Sequence, residues 1–344
     1  MNLFESNLNY TLIIFLSIFT IILSYYSNLY FTKFLNRKNL LDLPNHRSSH
    51  KIPTPRGGGI PLILSFIFVY IISSFFEINI FDIHFFIGLI LIFLLGVIED
   101  FKPMPVKIRL LIQILIAIYI IHFNQPFQNF PFPEPLNFQL NYYLAFILNV
   151  VWIVGVINIY NFLDGIDAFA AIQGLIVCIS IFLIGFNLSS EYISLILFFA
   201  ILGFLFHNWP PAKIFMGDAG AYSLGYIFAV LPFYAFENSA IGVFSISILL
   251  WFFLSDSLFT IIRRLINKEK IFEAHRSHLY QRLNIMGWEH KKINYFLFPF
   301  MSLLALLQII NSYFNFTYNL QILIVAVLLF LIYLSIVLKI EKNR

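Results

Sequence analysis

The sequence predicts an all-α, polytopic integral membrane protein of about eleven transmembrane helices, with its N-terminus outside and its C-terminus in the cytoplasm. Three observations predict it. Apolar residues make up 60% of the 344 positions and charged residues 11%, less than half the roughly 25% that coats a soluble domain. Apolar stretches of near-spanning length recur along the whole chain. Basic residues collect in every second gap between them.

The stretches run over 9–31, 59–76, 83–98, 108–123, 141–157, 169–187, 192–207, 221–236, 240–258, 293–313 and 319–338. A span needs about 20 apolar residues, so the shorter ones are expected to be tilted or sheltered by neighbours. Threading the chain from outside makes 32–58, 99–107, 158–168, 208–220, 259–292 and the tail from Lys339 internal. All 21 Lys and Arg then lie on the inner side or at its border. The outer segments hold acids instead: Glu5, Glu77, Asp82, Glu134, Glu191 and Glu237. The first stretch reads as a retained anchor, because MNLFESNLNY lacks a basic start and Lys33, Arg37 and Lys38 follow the span. Neither a soluble domain nor an internal repeat is visible, so 1–344 reads as one transmembrane unit. A single cysteine, Cys178, excludes a disulfide and a thiolate metal cluster. The proline-rich segment 124–140 reads as a plain outer connector.

The chemistry-bearing residues collect in five inner islands. In LDLPNHRSSHKIPTPRGGG (41–59), His46, Arg47, His50, Lys51 and Arg56 make a cationic loop. Anionic lipid would attract it, and its glycine run lets the backbone approach a helix or ligand closely. In GVIEDFKPMPVKIRLLIQ (96–113), Glu99 and Asp100 end one span while Lys107 and Arg109 open the next. Adjacent acids repel unless a cation lies between them. A metal ion would serve, and so would ion pairs to Lys102 or Lys107. In NIYNFLDGIDAFAA (158–171), Asn158, Asn161, Asp164 and Asp167 recur at intervals of three, which on a helix places four oxygen-bearing side chains on one face. That pattern suits a hard cation or a polar ligand. In HNWPPAKIFMGDAGAY (207–222), Asp218 stands at a helix start, where it can hold a metal or cap the helix, and Lys213 can reach the same anion. In FEAHRSHLYQRLNIMGWEHKK (272–292), His275, Arg276, His278 and Arg282 cluster. Two histidines without a third ligand make zinc a poor fit, whereas arginine flanked by histidine suits phosphate.

Acids for Mg²⁺ and bases for phosphate, together at a bilayer surface, are the inventory of phosphoryl transfer. No GxxxxGK[ST] loop is present, which argues against a Walker-type ATPase. A cation-coupled transporter is the reading from another class. It would place ionisable groups within the spans, where only Asp256 lies, near an inner end.

DLPNHRSSHKIPTPRGGG, GVIEDF with IRLLIQ, NIYNFLDGIDA, PAKIFMGDAG and AHRSHLYQRL together resemble the polyprenyl-phosphate N-acetylhexosamine-1-phosphate transferases, in order and over nearly the whole chain. The resemblance implies a catalytic domain in the bacterial inner membrane with its site facing the cytoplasm. It implies transfer of a sugar-1-phosphate from a UDP-N-acetylhexosamine to undecaprenyl phosphate, with release of UMP and with Mg²⁺, or Mn²⁺ in its place, as cofactor. Membrane lipids and a second copy of the chain are the other expected partners, and nucleic acid is not one. AHRSHLYQ looks more like the branch that initiates O-antigen and other surface polysaccharides than the phospho-muramoyl-pentapeptide branch, which is the alternative within the fold.

The roles expected from chemistry and resemblance together are these. Asp218 and Asn161 hold the metal, with Asp164 nearby. Asp167 and Asn158 contact uridine or sugar. Lys107, Arg109, Arg276, His275 and His278 bind phosphate oxygens. Asp100 orients or deprotonates the lipid phosphate, and Tyr280, Asn284 and Trp288 meet the sugar ring. Glu99 and Asp164 are expected beside Asp100 as catalytic acids, and two positions depart from the family pattern: Glu99 stands where an aspartate is usual, and Ala168 replaces the last glycine of DGxDG.

Overall fold

The computed structural model describes residues 3–44, 49, 52–76, 82–185, 187–235, 239–270 and 275–343. The cationic residues His46, Arg47, His50 and Lys51, and the acids Glu77 and Glu237, lie outside them.

The described residues are mainly helical. Helix α1 (Leu3–Arg37) is followed by the short strands β1 (Leu41–Asp42) and β2 (Thr54–Pro55), which pair antiparallel. Then come α2 (Gly59–Ser74), α3 (Ile83–Phe101), α4 (Val106–Asn124), α5 (Tyr142–Phe162), α6 (Phe169–Ile184) and α7 (Leu188–Asn208). The last part holds α8 (Gly217–Ala235), α9 (Ser239–Leu249), α10 (Trp251–Ile266), α11 (Leu279–Ile285), α12 (His290–Tyr313) and α13 (Asn319–Lys342).

Over its described residues each apolar stretch lies mainly in one helix, except that 240–258 is divided between α9 and α10. Among the described residues, seven helices are long and apolar enough to cross a membrane, or eight if α9 and α10 count as one bent span. The remaining expected spans differ for physical reasons. Helices α2 and α6 have only 16 residues each, and α8 starts with a polar turn and is rich in small residues.

Those small residues put α8 at the centre of the molecule. It packs against α2, α3, α5 and α9 and is buried from Gly217 to Pro232. Between apolar helices in lipid, close van der Waals packing replaces the hydrophobic drive, so backbones must meet. A Cβ on Gly59 of α2 would lie 2.2 Å from Gly220 Cα, and one on Gly96 of α3 would lie 2.5 Å from Ala219 Cα. The start of α2, the end of α3 and the start of α8 are thereby held side by side. Around this group α1 packs on α2 and α7, while α6 packs on α7 and α12.

The break between α9 and α10 bends the chain by 80° at Leu250. A carbonyl freed at such a break needs a donor where water is scarce, and Gln173 Nε2 donates to Leu249 O at 2.8 Å. Helix α10 is amphipathic. Leu258, Ile262, Leu265 and Ile266 face outward, while Asp256 and Arg264 are buried.

Candidate active site

The site begins with a zipper between two loops. The backbone amides of Gly57 and Gly58 donate to Phe215 O, Gly59 N donates to Met216 O, and Phe215 N donates to Pro55 O. The loop before α2 and the loop before α8 therefore fix each other, and two helix N-termini open at one level. The positive ends of the two helices favour carboxylates there. Asp100, at the end of α3, takes the position: it accepts from Asp218 N at 2.8 Å and Ala219 N at 3.0 Å. Gly217 leaves room for it. Its φ is +77°, and a Cβ there would sit 2.6 Å from Asp100 Oδ1.

Arg56 closes the cluster. Its Nε donates to Asp100 Oδ1 at 3.0 Å and its Nη2 to Asp218 Oδ1 at 2.6 Å. Asn161 Nδ2 donates to the same Asp218 oxygen at 2.7 Å. The Asp218 carboxylate, with Asp100 behind it, holds the guanidinium strongly in its charged form, against the opposing effect of burial. Asp164 lies just beyond the end of α5. Burial pushes its carboxyl well above the usual carboxylate range, and Arg56 pulls the other way.

The four polar residues of 158–167 do not share one helical face. Helix α5 ends at Phe162, so Asn158 and Asn161 are helical while Asp164 and Asp167 lie in the turn that follows. Asn158 faces α4, donating to Gln113 Oε1 at 2.6 Å. Asp167 Oδ2 accepts from Ala212 N at 3.1 Å, and its Oδ1 lies 3.2 Å from His290 Nδ1. Ala168 keeps the turn despite its methyl group: it adopts the left-handed region at φ +64°, and its amide donates to Asn208 Oδ1 at 2.9 Å.

The acidic pair is divided. Successive helical residues point about 100° apart, so Glu99 leaves the cluster that Asp100 joins. It accepts from Met104 N and from Arg109 Nη1, both at 2.8 Å. The cations that answer the pair are Arg109 and Arg56, neither Lys102 nor Lys107.

Many of these groups line a cavity of about 1000 Å³, with Asp100 buried behind the lining. Its polar end carries Arg56, Asn161, Asp164, Asp167 and Asp218, with Glu99, Arg109 and Asn158 on the walls. His275, His278, Gln281 and His290 form a rim. From there an apolar wall runs along α4 and α5, through Leu110, Ile114, Val150, Val151 and Val154. Burial, with His278 and Arg264 adding to it, holds His275 down to about 4, so its ring is neutral near pH 7. His278 is fixed from behind: Asp256 Oδ1 lies 3.2 Å from its Nδ1 and also accepts from Leu279 N at 2.9 Å, capping α11.

Other expected residues lie elsewhere. Lys107 and Lys213 are exposed and are not part of the lining. Arg276 donates to Asn284 Oδ1 at 2.6 Å, and Asn284 in turn donates to Trp288 O. Tyr280 is fully buried with its hydroxyl on Phe162 O. Arg276, Tyr280, Asn284 and Trp288 thus make contacts within 275–292 and with α5, and none of them lines the cavity. Arg56 and His290 carry more of the site than the sequence reading gave them. Arg56 was legible only as one basic residue of a basic loop, although its position directly before GGG, where the backbone comes close, was a usable signal.

An all-α membrane protein whose helix ends gather carboxylates, a guanidinium and an amide around a cavity with one apolar wall fits the class that handles phosphorylated substrates. Glycosyl transferase family 4 matches residues 83–235. The chain is 34% identical over 260 residues to a probable undecaprenyl-phosphate N-acetylglucosaminyl 1-phosphate transferase of Bacillus subtilis, covering 73% of this chain and 71% of that protein. It is 30% identical over 316 residues to an undecaprenyl-phosphate alpha-N-acetylglucosaminyl 1-phosphate transferase of Thermotoga maritima, covering 90% and 94%. A phospho-N-acetylmuramoyl-pentapeptide-transferase of Staphylococcus haemolyticus is 30% identical over 266 residues, covering 71% and 80%. The chain belongs to glycosyl transferase family 4.

Proposed function

We propose that the protein transfers N-acetylhexosamine-1-phosphate from a UDP-sugar to undecaprenyl phosphate, in the bacterial inner membrane and from its cytoplasmic face, as the first step of a lipid-linked surface glycan. The observation that carries the reading is the two-ended cavity, acidic at the helix starts and apolar along α4 and α5. A water-soluble nucleotide and a lipid can meet only where both solvents reach, and this cavity offers a wall to each. The B. subtilis and T. maritima relatives are named for this transfer and support it.

A phosphate oxygen of the lipid attacks the phosphorus that bears the sugar. The bond from that phosphorus to the bridging oxygen breaks, and UMP leaves with the electron pair. Catalysis of such a step is mainly positioning and neutralisation. Asp218, Asn161 and Asp164 offer hard oxygen donors that fit Mg²⁺. Among the described residues no three acidic or histidine side chains converge as a preformed cage, which suits an ion that takes one or two carboxylates and completes its shell with water and substrate phosphate. When bound, Mg²⁺ would supply positive charge to the diphosphate. Asp100, expected to orient the attacking phosphate, lies behind the lining and is held by two amides and Arg56, so it would act through Asp218 and Arg56. Arg109, His275 and His278, which line the cavity, would donate to phosphate, and Asp167 and Asn158, which line it too, would contact uridine or sugar.

The test is UMP release by purified protein given undecaprenyl phosphate and a panel of UDP-sugars. Release with UDP-GlcNAc and not with UDP-MurNAc-pentapeptide is expected. The reverse pattern would assign the chain to the pentapeptide branch. Silence with all donors alongside ion-coupled uptake in vesicles would replace the enzyme with a transporter.

A further inference from the structure

Arg56 occupies an unusual position for a basic residue of a cytoplasmic loop. Its backbone is locked by the zipper to Phe215 and Met216, yet its side chain is 39% exposed on the cavity side. The guanidinium bridges Asp100 and Asp218, and Asp164 stands within its electrostatic reach. Glu99 and Asp167 take no part, because Arg109 and His290 answer them. Among the described residues, Asp218, Asp100 and Asp42 all act on this one guanidinium, with Asp164 after them, so a single cation is shared among several acids. Unmatched buried charge is costly, and a divalent ion is what would complete the balance.

One oxygen of Asp218 is nevertheless already taken. Asp218 Oδ1 accepts from both Arg56 and Asn161, so the two residues best suited to a metal are turned toward each other and toward a guanidinium. Like charges at this range repel strongly where water is scarce. An incoming divalent ion and Arg56 therefore compete for one carboxylate. Because the Arg56 backbone is fixed, only its side chain can give way. The cavity is where it has room, and a diphosphate there offers the planar fork a bidentate match.

We propose that Arg56 is the resident counter-cation of the acid cluster: it holds Asp218 in the empty enzyme, yields it to the divalent ion, and turns its guanidinium onto the donor diphosphate. This rests on the reading of the cavity as the site of a metal-bound UDP-sugar. It predicts effects of opposite sign from one substitution. Loss of the guanidinium should tighten the bare metal site and weaken the nucleotide site, whereas loss of a purely structural clasp would weaken both.

The experiment uses full-length protein in nanodiscs. Mn²⁺ binding without nucleotide is followed by electron paramagnetic resonance, and UDP binding at saturating Mg²⁺ by calorimetry. Arg56→Gln is expected to bind Mn²⁺ roughly five- to tenfold more tightly and UDP roughly tenfold more weakly than wild type. Arg56→Lys, which keeps the charge but loses the fork, should leave Mn²⁺ affinity within about twofold and still weaken UDP several-fold; it carries the test alone if Arg56→Gln does not fold. Wild type that binds Mn²⁺ beside an Arg56→Gln protein that binds it equally or less tightly overturns the role of Arg56. Wild type that binds neither Mn²⁺ nor UDP overturns the reading of the cavity itself.

Discussion

Asp100 accepts hydrogen bonds from the backbone amides of Asp218 and Ala219, residues more than a hundred positions further along the chain. One carboxylate thus acts as the cap of a helix it does not belong to, and the acid that closes α3 also fixes the acid that opens α8. Capping and site-building are the same contact. Damage to either residue therefore spreads to both.

Gly217→Ala should show this directly. The new methyl group meets Asp100 Oδ1 at 2.6 Å and the position has φ +77°, so Asp100 must move. UMP release is expected to fall at least about a hundredfold, because misplacement by about 1 Å is that costly. The protein should still insert and purify, since α8 keeps its packing. Activity within about tenfold of wild type would show that Asp100 need not sit on these amides.

Asp218→Asn should abolish metal-dependent transfer while keeping the fold, because asparagine still accepts from Arg56 and Asn161. Measured in membranes, transfer should fall at least about a thousandfold. Full activity with unchanged Mg²⁺ dependence would remove Asp218 from the metal site.

Glu99→Gln should cost stability before it costs chemistry. Glu99 is buried and both its oxygens are engaged by Arg109 and Met104 N, so the neutral amide leaves a cation poorly answered. A loss of about 1–3 kcal/mol is expected, read as a lower thermal midpoint in detergent, with kcat within about tenfold. An unchanged midpoint with kcat down a thousandfold would return Glu99 to a direct role.

Ala168→Gly should stabilise. Alanine in the left-handed region costs roughly 1 kcal/mol that glycine avoids. Part of that gain is offset, because glycine also frees the unfolded chain. A small rise in the thermal midpoint with activity retained is expected; a fall would mean that the Ala168 methyl, fully buried, earns more in packing than the backbone loses.

The pH dependence follows from Asp164. Its proton affinity is raised in the folded protein, so it keeps its proton to higher pH than an ordinary carboxyl, and a metal ion must displace that proton. The carboxylate form, dominant as pH rises, is the form that is poorly solvated and gains most from a cation. Stabilisation by Mg²⁺ should therefore be larger near about pH 8 than near about pH 6. Asp164→Asn should flatten the difference. His275, already neutral over this range, should not contribute, and His275→Gln should leave the Mg²⁺ response to pH unchanged.

The sequence by itself determined what depends on local composition. Runs of apolar residues with few charges can only be helices in lipid, because every backbone amide must be paired within the segment, and each run is mainly helical over its described residues. The polar islands are legible for the same reason: Asn161, Asp164 and Asp218 are too costly near a membrane to be there without purpose, and all three line the cavity. Tertiary structure decided everything that depends on direction. It decided that Glu99 and Asp100, neighbours in the chain, turn to different partners. It brought Arg56 onto two acids from two other helices, and it buried Tyr280 and turned Asn284 inward when both were expected at the ligand. Local periodicity fixes which way a side chain leaves its own helix. What it meets depends on how closely α2, α3 and α8 approach, and that distance is set by glycines such as Gly59 and Gly96 whose contacts lie far away in sequence.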